Sequence, residues 1–230
     1  MANPPAPRNP PAPVYAPHVV EAWAVVVAGG TGTRFGSPKQ FADLGGRPLV
    51  AWCLEAAREV CDGVVLVVPA GGGREDWDAD AVVAGGPSRS ESVRCGLAAV
   101  PPTVEIVVVH DAARPLARPE LWRAVIEVVA GGADAAVPAV PLTDTVKEVR
   151  LDGHLVTLDR TRLVAVQTPQ AFCARALRTA HEGGGQATDD AALIEALGGR
   201  VVLVEGVAGN IKVTSPSDLI VAEALSGAAR

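Results

Sequence analysis

From Glu21 onward, short runs of β-branched residues alternate with longer stretches rich in Ala and Leu. AWAVVVA at 22–28 is followed by PLVAWCLEAAREV at 48–60, GVVLVVP at 63–69, AVVAGG at 81–86, SESVRCGLAAV at 90–100, EIVVVHD at 105–111, PELWRAVIEVVAGG at 119–132 and ADAAVPAV at 133–140. The Val-rich runs are apolar at successive positions rather than at every second one, which is the pattern of strands covered on both faces. Strand and helix patterns in alternation predict βαβ units, hence an α/β, Rossmann-like fold with a mostly parallel sheet and helices on both faces. Between 141 and 172 the pattern breaks: β-branched pieces flank Asp152-Gly153 with no helical period, predicting a hairpin or β-arm inserted into the α/β unit. An exposed hairpin commonly pairs with another subunit. Beyond it, ARALRTAHEG and TDDAALIEALGG predict helices, RVVLVEG and IKVT predict strands, and SPSDLIVAEAL predicts a closing helix in which Ser215, Pro216 and Asp218 resemble a capping box. Seven prolines in the first 17 residues set 1–20 apart as a disordered, Pro-rich tail and leave 21–230 as one domain.

Composition narrows the function classes. With 49% hydrophobic and 20% charged residues, the chain of 230 residues is long enough and apolar enough to bury its own core. Lys and Arg number 20 against 26 Asp and Glu, a net charge of −6, and aromatics make up 3%. An acidic chain with few stacking rings predicts no nucleic-acid partner, and any anionic ligand must meet a locally focused set of cations. The absence of a leader pattern and of an apolar run near ~18 residues predicts a cytoplasmic protein with no membrane partner. Cys53, Cys61, Cys95 and Cys173 form no CxxC pair, and His18, His110, His154 and His181 stand at no zinc-ligand spacing.

Three strand-to-helix junctions carry candidate chemistry. The first strand runs into AGGTGTRFGSPKQ at 28–40, a position where open parallel sheets place ligands. It lacks the GK[ST] of a Walker loop and has one residue too many for a dinucleotide fingerprint. What remains is a glycine-rich turn whose backbone N–H groups can approach phosphates, with Arg34 and Lys39 able to converge on a triphosphate; the plain alternative is a surface loop with solvated cations. Only Lys39, Lys147 and Lys212 are lysines, beside 17 arginines, which suggests either that a compact ammonium is required where lysine persists or that three lysines were retained by chance. Asp111, in HDAARP at 110–115, ends a strand on the same edge, and a carboxylate beside phosphates suits Mg²⁺ without a larger ligand cluster, although it could simply cap the next turn. His110 reads as a hydrogen-bonded structural residue rather than a base. The segment GGPSRSESV at 85–93 offers backbone groups and Ser92 to a base edge, or merely caps a helix.

In order along the chain, AGGTGTRFGSPKQ, RSESVRCGL, VHDAARP, PLTDTVK, LDRTRLVAVQTPQAF, ATDDAALIE and NIKVTSPSDL resemble the cytidylyltransferases of the methylerythritol phosphate route to isoprenoids over roughly residues 22–225. The resemblance implies a Rossmann-like domain, a β-arm that builds a homodimer, and cytidylyl transfer from CTP to a sugar-alcohol phosphate with release of pyrophosphate. By the same resemblance, Arg34 and Lys39 meet the CTP phosphates with backbone support from Ala28, Gly29 and Gly30. Gly86 and Ser92 hold cytosine, and Asp111 holds Mg²⁺ or another divalent cation. Arg114, Thr168, Thr188 and Lys212 surround the acceptor phosphate, joined by Thr145 and Arg160 from the partner's arm. Arg34, Lys39, Arg160 and Lys212 are the expected catalytic group. Pro87 departs from the family, whose members often carry an acidic residue there, and the cyclase domain fused to some relatives is expected to be absent. The rival enzyme is a ribitol-5-phosphate cytidylyltransferase. The rival of another class is a noncatalytic nucleotide-binding regulator.

Overall fold

The computed structural model describes residues 20–30, 39–71 and 76–227, with Lys39 by its backbone alone. Its elements run β1 (Ala22–Val27), the short strands β2 (Asp43–Leu44) and β3 (Arg47–Pro48), α1 (Leu49–Arg58), β4 (Gly63–Val68), β5 (Ala81–Ala84), α2 (Arg89–Ala99), β6 (Ile106–Asp111), α3 (Pro119–Ala130) and β7 (Ala135–Pro141). Then follow β8 (Lys147–Val149), β9 (Leu155–Thr157), β10 (Val164–Val166), β11 (Gln170–Cys173), α4 (Ala174–Glu182), α5 (Ala191–Ala196), β12 (Val201–Glu205) and α6 (Pro216–Gly227).

Among the described residues, eight strands make the central sheet. Along it run β5, β4, β1, β6, β11 and β7, with β12 on the far side of β7 and β10 pairing the end of β7. Strands β5, β4, β1 and β6 are mutually parallel, β12 is parallel to β7, and β10 and β11 run antiparallel to their neighbours. The fold is therefore Rossmann-like α/β, as the strand pattern predicts. The unbroken apolar runs have a direct cause: Ala24, Val26, Val64 and Leu66 pack with Leu54 and Trp122, while the intervening Val25, Val65 and Val67 pack with Val93, Leu97 and Leu177 on the opposite face. Each fully buried Val or Leu contributes about 1.5–3 kcal/mol of transfer free energy, which is why these runs are apolar on both faces. Helix α2 lies close against the sheet because Gly96 has no side chain; a Cβ there would stand 2.4 Å from Val25 Cγ1.

Register places the junctions together. Val27 stands opposite both Asp111 and Val67, so the residues leaving β1, β4 and β6 emerge side by side at the carboxyl edge. Residues 1–19, on which the reading of a disordered tail falls, lie outside the described residues.

Two expectations need correction. The stretch 141–172 is not one inserted arm: β8 and β9 form a separate two-stranded ribbon turning at Gly153, but β10 and β11 belong to the main sheet. Strand β11 is wedged between β6 and β7, with Ala171 opposite Val108 and Phe172 opposite Val107. QAFC carries no β-branched residue, so its conformation comes from that slot and not from propensity. IKVT at 211–214 is not a strand either. Val213 donates one backbone bond to Ala113 O at 2.8 Å and buries its side chain with Leu44, Leu49 and Ala222, which carries Lys212 across the sheet edge. Outside both expectations, Gly45 and Gly46 at φ 63° and 85° turn the β2–β3 ribbon, which suits glycine.

Candidate active site

A cleft of about 620 Å³ opens where β1, β5 and β6 end, lined among others by Ala28, Gly29, Gly30, Gly86, Ser92 and Asp111, with Lys212 at its rim. Concavities of about 610 and 700 Å³ lie elsewhere. Position rather than size distinguishes the cleft, since ligands of open α/β sheets bind outside the carboxyl ends of the strands.

The glycine loop starts at the β1 terminus, where Ala28 N–H donates to Val67 O at 2.8 Å. The buried Gln40 donates from Nε2 to Gly30 O at 3.2 Å, tying together the two ends between which residues 31–38 run. Arg34 lies outside the described residues. Lys39 opens the 3₁₀ turn Lys39–Phe41 by its backbone, and its side chain also lies outside the described residues.

Helix α2 begins at the cleft with a complete capping box: Ser88 Oγ accepts from Glu91 N–H at 3.2 Å, and Glu91 Oε2 accepts from Ser88 N–H at 3.0 Å. The cap reading of this serine-rich start therefore holds for Ser88. Ser92 differs: its buried hydroxyl donates to Ser88 O at 2.9 Å and sits between the two glycine loops, 3.2 Å from where a Cβ on Gly29 would be and 2.7 Å from one on Gly85. Side chains at either glycine would push α2 away from the β1 terminus.

Asp111 occupies the centre. Its Oδ1 accepts from Arg89 Nε at 3.1 Å and its Oδ2 from Lys212 Nζ at 2.5 Å. Burial alone would raise its pKa, but the Arg89 and Lys212 charges outweigh burial and hold the carboxyl well below the usual range. Burial would likewise lower the Arg89 pKa, and Asp111 and Asp190 together hold it above its ordinary value.

Thr168 and Arg114 border this centre from behind. Thr168 Oγ1 accepts from the Asp111 N–H at 3.1 Å and lies 3.1 Å from His110 Nδ1, while His110 Nε2 lies 3.1 Å from Arg114 O. Buried and with both nitrogens engaged, His110 has its pKa pushed down to about 4 by burial, so it stays a neutral structural imidazole. Arg114 donates from Nη1 to Asn210 O at 2.7 Å and from Nη2 to Val166 O at 3.3 Å, locking the segment before Lys212 to β10. Burial lowers its pKa, opposed by Asp111.

Thr188 is exposed two residues before the buried Asp190, which ties its loop to Arg89. Thr145 and Arg160 lie apart, on either side of the β8–β9 ribbon in sequence: both are exposed, and Arg160 donates to Thr143 O. No hydrogen bond or ion pair among the described residues of this one chain links them to the cleft.

Arg89, Asp190 and His181 escape sequence reasoning. Arg89 sits in a motif whose serines read as a cap, and Asp190 in a run that reads as an ordinary helix. They meet only through a contact 101 residues apart along the chain, for which periodicity offers no signal.

Among the described residues, no group of three or more His, Cys, Asp or Glu could hold a metal ion. The donor set nevertheless fits a hard divalent ion shared with a ligand: one ionised carboxylate whose Oδ2 is held by a lysine side chain 42% exposed, hence displaceable. No helix among the described residues is long and apolar enough to cross a membrane.

A family model described as IspD, 2-C-methyl-D-erythritol 4-phosphate cytidylyltransferase, matches residues 22–227. The chain is 45% identical to 2-C-methyl-D-erythritol 4-phosphate cytidylyltransferase of Streptomyces avermitilis, covering 88% of this chain and 90% of that one. It is 43% identical to the bifunctional enzyme IspD/IspF of Nitratidesulfovibrio vulgaris over 89% of this chain, and spans 58% of that relative's length. The crystal structure of 2-C-methyl-D-erythritol 4-phosphate cytidylyltransferase from Thermus thermophilus superposes with a TM-score of 0.77 at 36% identity, covering 88% of this chain and 98% of that one.

Proposed function

Because the chain belongs to the 2-C-methyl-D-erythritol 4-phosphate cytidylyltransferase family, we propose that it transfers the cytidylyl group of CTP to 2-C-methyl-D-erythritol 4-phosphate. The products are 4-diphosphocytidyl-2-C-methyl-D-erythritol and pyrophosphate, and the reaction belongs to isoprenoid precursor biosynthesis. The observation that carries this reading is the convergence of both glycine loops, Asp111 and Lys212 on one cleft at the carboxyl edge of the sheet.

In the reaction an oxygen of the acceptor phosphate attacks the α-phosphorus of CTP, a new P–O bond forms, the α–β bridge breaks and pyrophosphate leaves with the bond's electron pair. A phosphate monoester has its second pKa near ~6 and is mostly dianionic at neutral pH, so no general base is needed. The neutral, fully hydrogen-bonded His110 is consistent with that. The barrier is electrostatic: a dianion must approach a tetra-anion. Arg34 and Lys39 neutralise the triphosphate and the departing pyrophosphate, while Ala28, Gly29 and Gly30 offer backbone N–H groups to it. Gly86 and Ser92 read the cytosine edge, with Pro87 contributing no side-chain hydrogen bond. Asp111 would hold magnesium, which when bound would supply charge neutralisation to the phosphates. Lys212, Arg114, Thr168 and Thr188 align the acceptor phosphate.

The same reading takes the enzyme as a cytoplasmic homodimer, in which Thr145 and Arg160 of each arm complete the partner's site. Exposed Val149, Leu151 and Leu155 on the β8–β9 ribbon support it, because apolar side chains on an isolated ribbon call for a second surface.

Pyrophosphate release from CTP, measured with 2-C-methyl-D-erythritol 4-phosphate and with ribitol 5-phosphate, tests the reaction. The methylerythritol acceptor is expected to support turnover at least ~100-fold more efficiently, the range that misplaced hydroxyls command in a polar site. Preference for ribitol 5-phosphate overturns the acceptor, and CTP binding without pyrophosphate release from either acceptor leaves a regulator in place of an enzyme. The shared site has its own test. Mixing inactive Arg160→Ala and Lys39→Ala proteins is expected to restore about a quarter of wild-type activity, since hybrid dimers carry one intact site. Confirmed subunit exchange without recovery would place each site within one chain.

A further inference from the structure

Arg89 has two anchors, and only one of them is Asp111. Its Nη1 donates to Asp190 Oδ2 at 2.8 Å, while the other Asp190 oxygen lies 3.0 Å from His181 Nε2. Asp190 is 1% exposed and stands at the N-cap position of α5, yet its side chain caps no backbone N–H. A carboxylate so deeply buried is costly unless paired. Both of its oxygens are spent on holding Arg89 and the α4 histidine.

The two cations on Asp111 are not equivalent. The Lys212 side chain is 42% exposed on a flexible stem and can swing into solvent, whereas that of Arg89 is 22% exposed and pinned by Asp190. A guanidinium with a single carboxylate partner prefers to take both of its oxygens in a parallel fork. Arg89 does not, because Asp190 draws Nη1 away; its Nη2 is buried and has no partner among the described residues.

We propose that Asp190 is a positioning residue: by holding one side of the Arg89 guanidinium, it confines Arg89 to Asp111 Oδ1 and reserves Oδ2 for exchange between Lys212 and a divalent cation arriving with the nucleotide. The inference rests on the assignment of Asp111 to that cation. Charge counting gives the sign of the effect. Asp111 and Asp190 balance Arg89 and Lys212 before any ligand binds, so neutralising Asp190 leaves one surplus positive charge beside the site and also frees Arg89 to close over both Asp111 oxygens. Both consequences oppose a divalent cation. Neutralising Arg89 reverses the sign, and neutralising both restores the balance.

Manganese serves as the probe because its bound and free forms are distinguished by electron paramagnetic resonance, independently of turnover. In the full-length enzyme with a nontransferable CTP analogue, Asp190→Asn is expected to weaken Mn²⁺ binding by on the order of tenfold. Arg89→Gln is expected to tighten it, and the double variant to return within about threefold of wild type; the half-saturating Mg²⁺ concentration for turnover should follow the same order. Analogue affinity in EDTA should be unchanged or slightly tighter in Asp190→Asn. Unaltered Mn²⁺ affinity in a folded Asp190→Asn protein overturns the proposal, and so does equal weakening in all three variants, the behaviour of a strut between helices. Should Asp190→Asn fail to fold, the tightening by Arg89→Gln decides alone. Asp111→Asn separates the premise from the inference. If it retains Mn²⁺, the cation assignment falls and the proposal with it; if it loses Mn²⁺ while Asp190→Asn keeps it, only the positioning role falls.

Discussion

Replacing Asp111 with asparagine is expected to lower turnover by on the order of 10²–10³, the range measured when one preorganised electrostatic group is removed from a transition-state site. The substitution preserves shape, so the loss is one of charge. Asparagine cannot hold a divalent cation as a carboxylate does, and its amide would point a donor at either Arg89 or Lys212. A stability penalty accompanies it. Lys212 relaxes into solvent at little cost, but the largely buried Arg89 loses one of two charge-assisted bonds, worth about 1.5–3 kcal/mol. This penalty depends on pH in a defined direction. The folded pKa of Asp111 lies below its unfolded value near ~3.9, so the stabilisation is complete above that value and is lost as pH falls through the folded pKa. The stability difference between wild type and variant, from urea unfolding, should therefore be constant near neutrality and shrink below about pH 4. A variant with wild-type turnover would remove Asp111 from the chemistry.

Lys39→Ala is expected to cost about a hundredfold or more in kcat, with a smaller effect on KM for CTP. A lysine that neutralises the leaving pyrophosphate acts more strongly in the transition state than in the ground state, where on the proposed reading the triphosphate would already have Arg34 and backbone N–H groups. Arg at this position should rescue poorly, because a planar guanidinium fork does not reproduce a compact ammonium. Steady-state rates of Lys39→Ala and Lys39→Arg check this. A rise in KM with unchanged kcat would make Lys39 a nucleotide anchor and nothing more.

The parts of this site that lie next to strand ends were legible in the sequence; the parts assembled across the chain were not. Val27, Val68 and Asp111 close the strands β1, β4 and β6, so strand pattern alone put the glycine loop and the carboxylate on one edge. Lys212 could be singled out by its rarity, but not its route: the predicted strand around it is an irregular segment held by Val213 in a small core under α6. Strand β11 was invisible because QAFC owes its conformation to the slot between β6 and β7. The Arg89 bridge was invisible for a related reason, since its ion pairs with Asp111 and Asp190 follow from the packing of α2 against the sheet and have no period. Family resemblance supplied Thr145 and Arg160, which are exposed beside the β8–β9 ribbon and joined to the cleft by no hydrogen bond or ion pair among the described residues of this chain.

The electrostatic premise is that cations and one carboxylate, gathered at the sheet edge of an acidic protein, bring two anions into reaction. Phosphorus NMR of the enzyme with CTP, 2-C-methyl-D-erythritol 4-phosphate and Mg²⁺ tests it most directly. A new pair of coupled diphosphate resonances should grow in step with pyrophosphate as the monoester signal disappears. A spectrum in which the monoester persists while CTP stays intact, or decays only to CDP and phosphate, would contradict it.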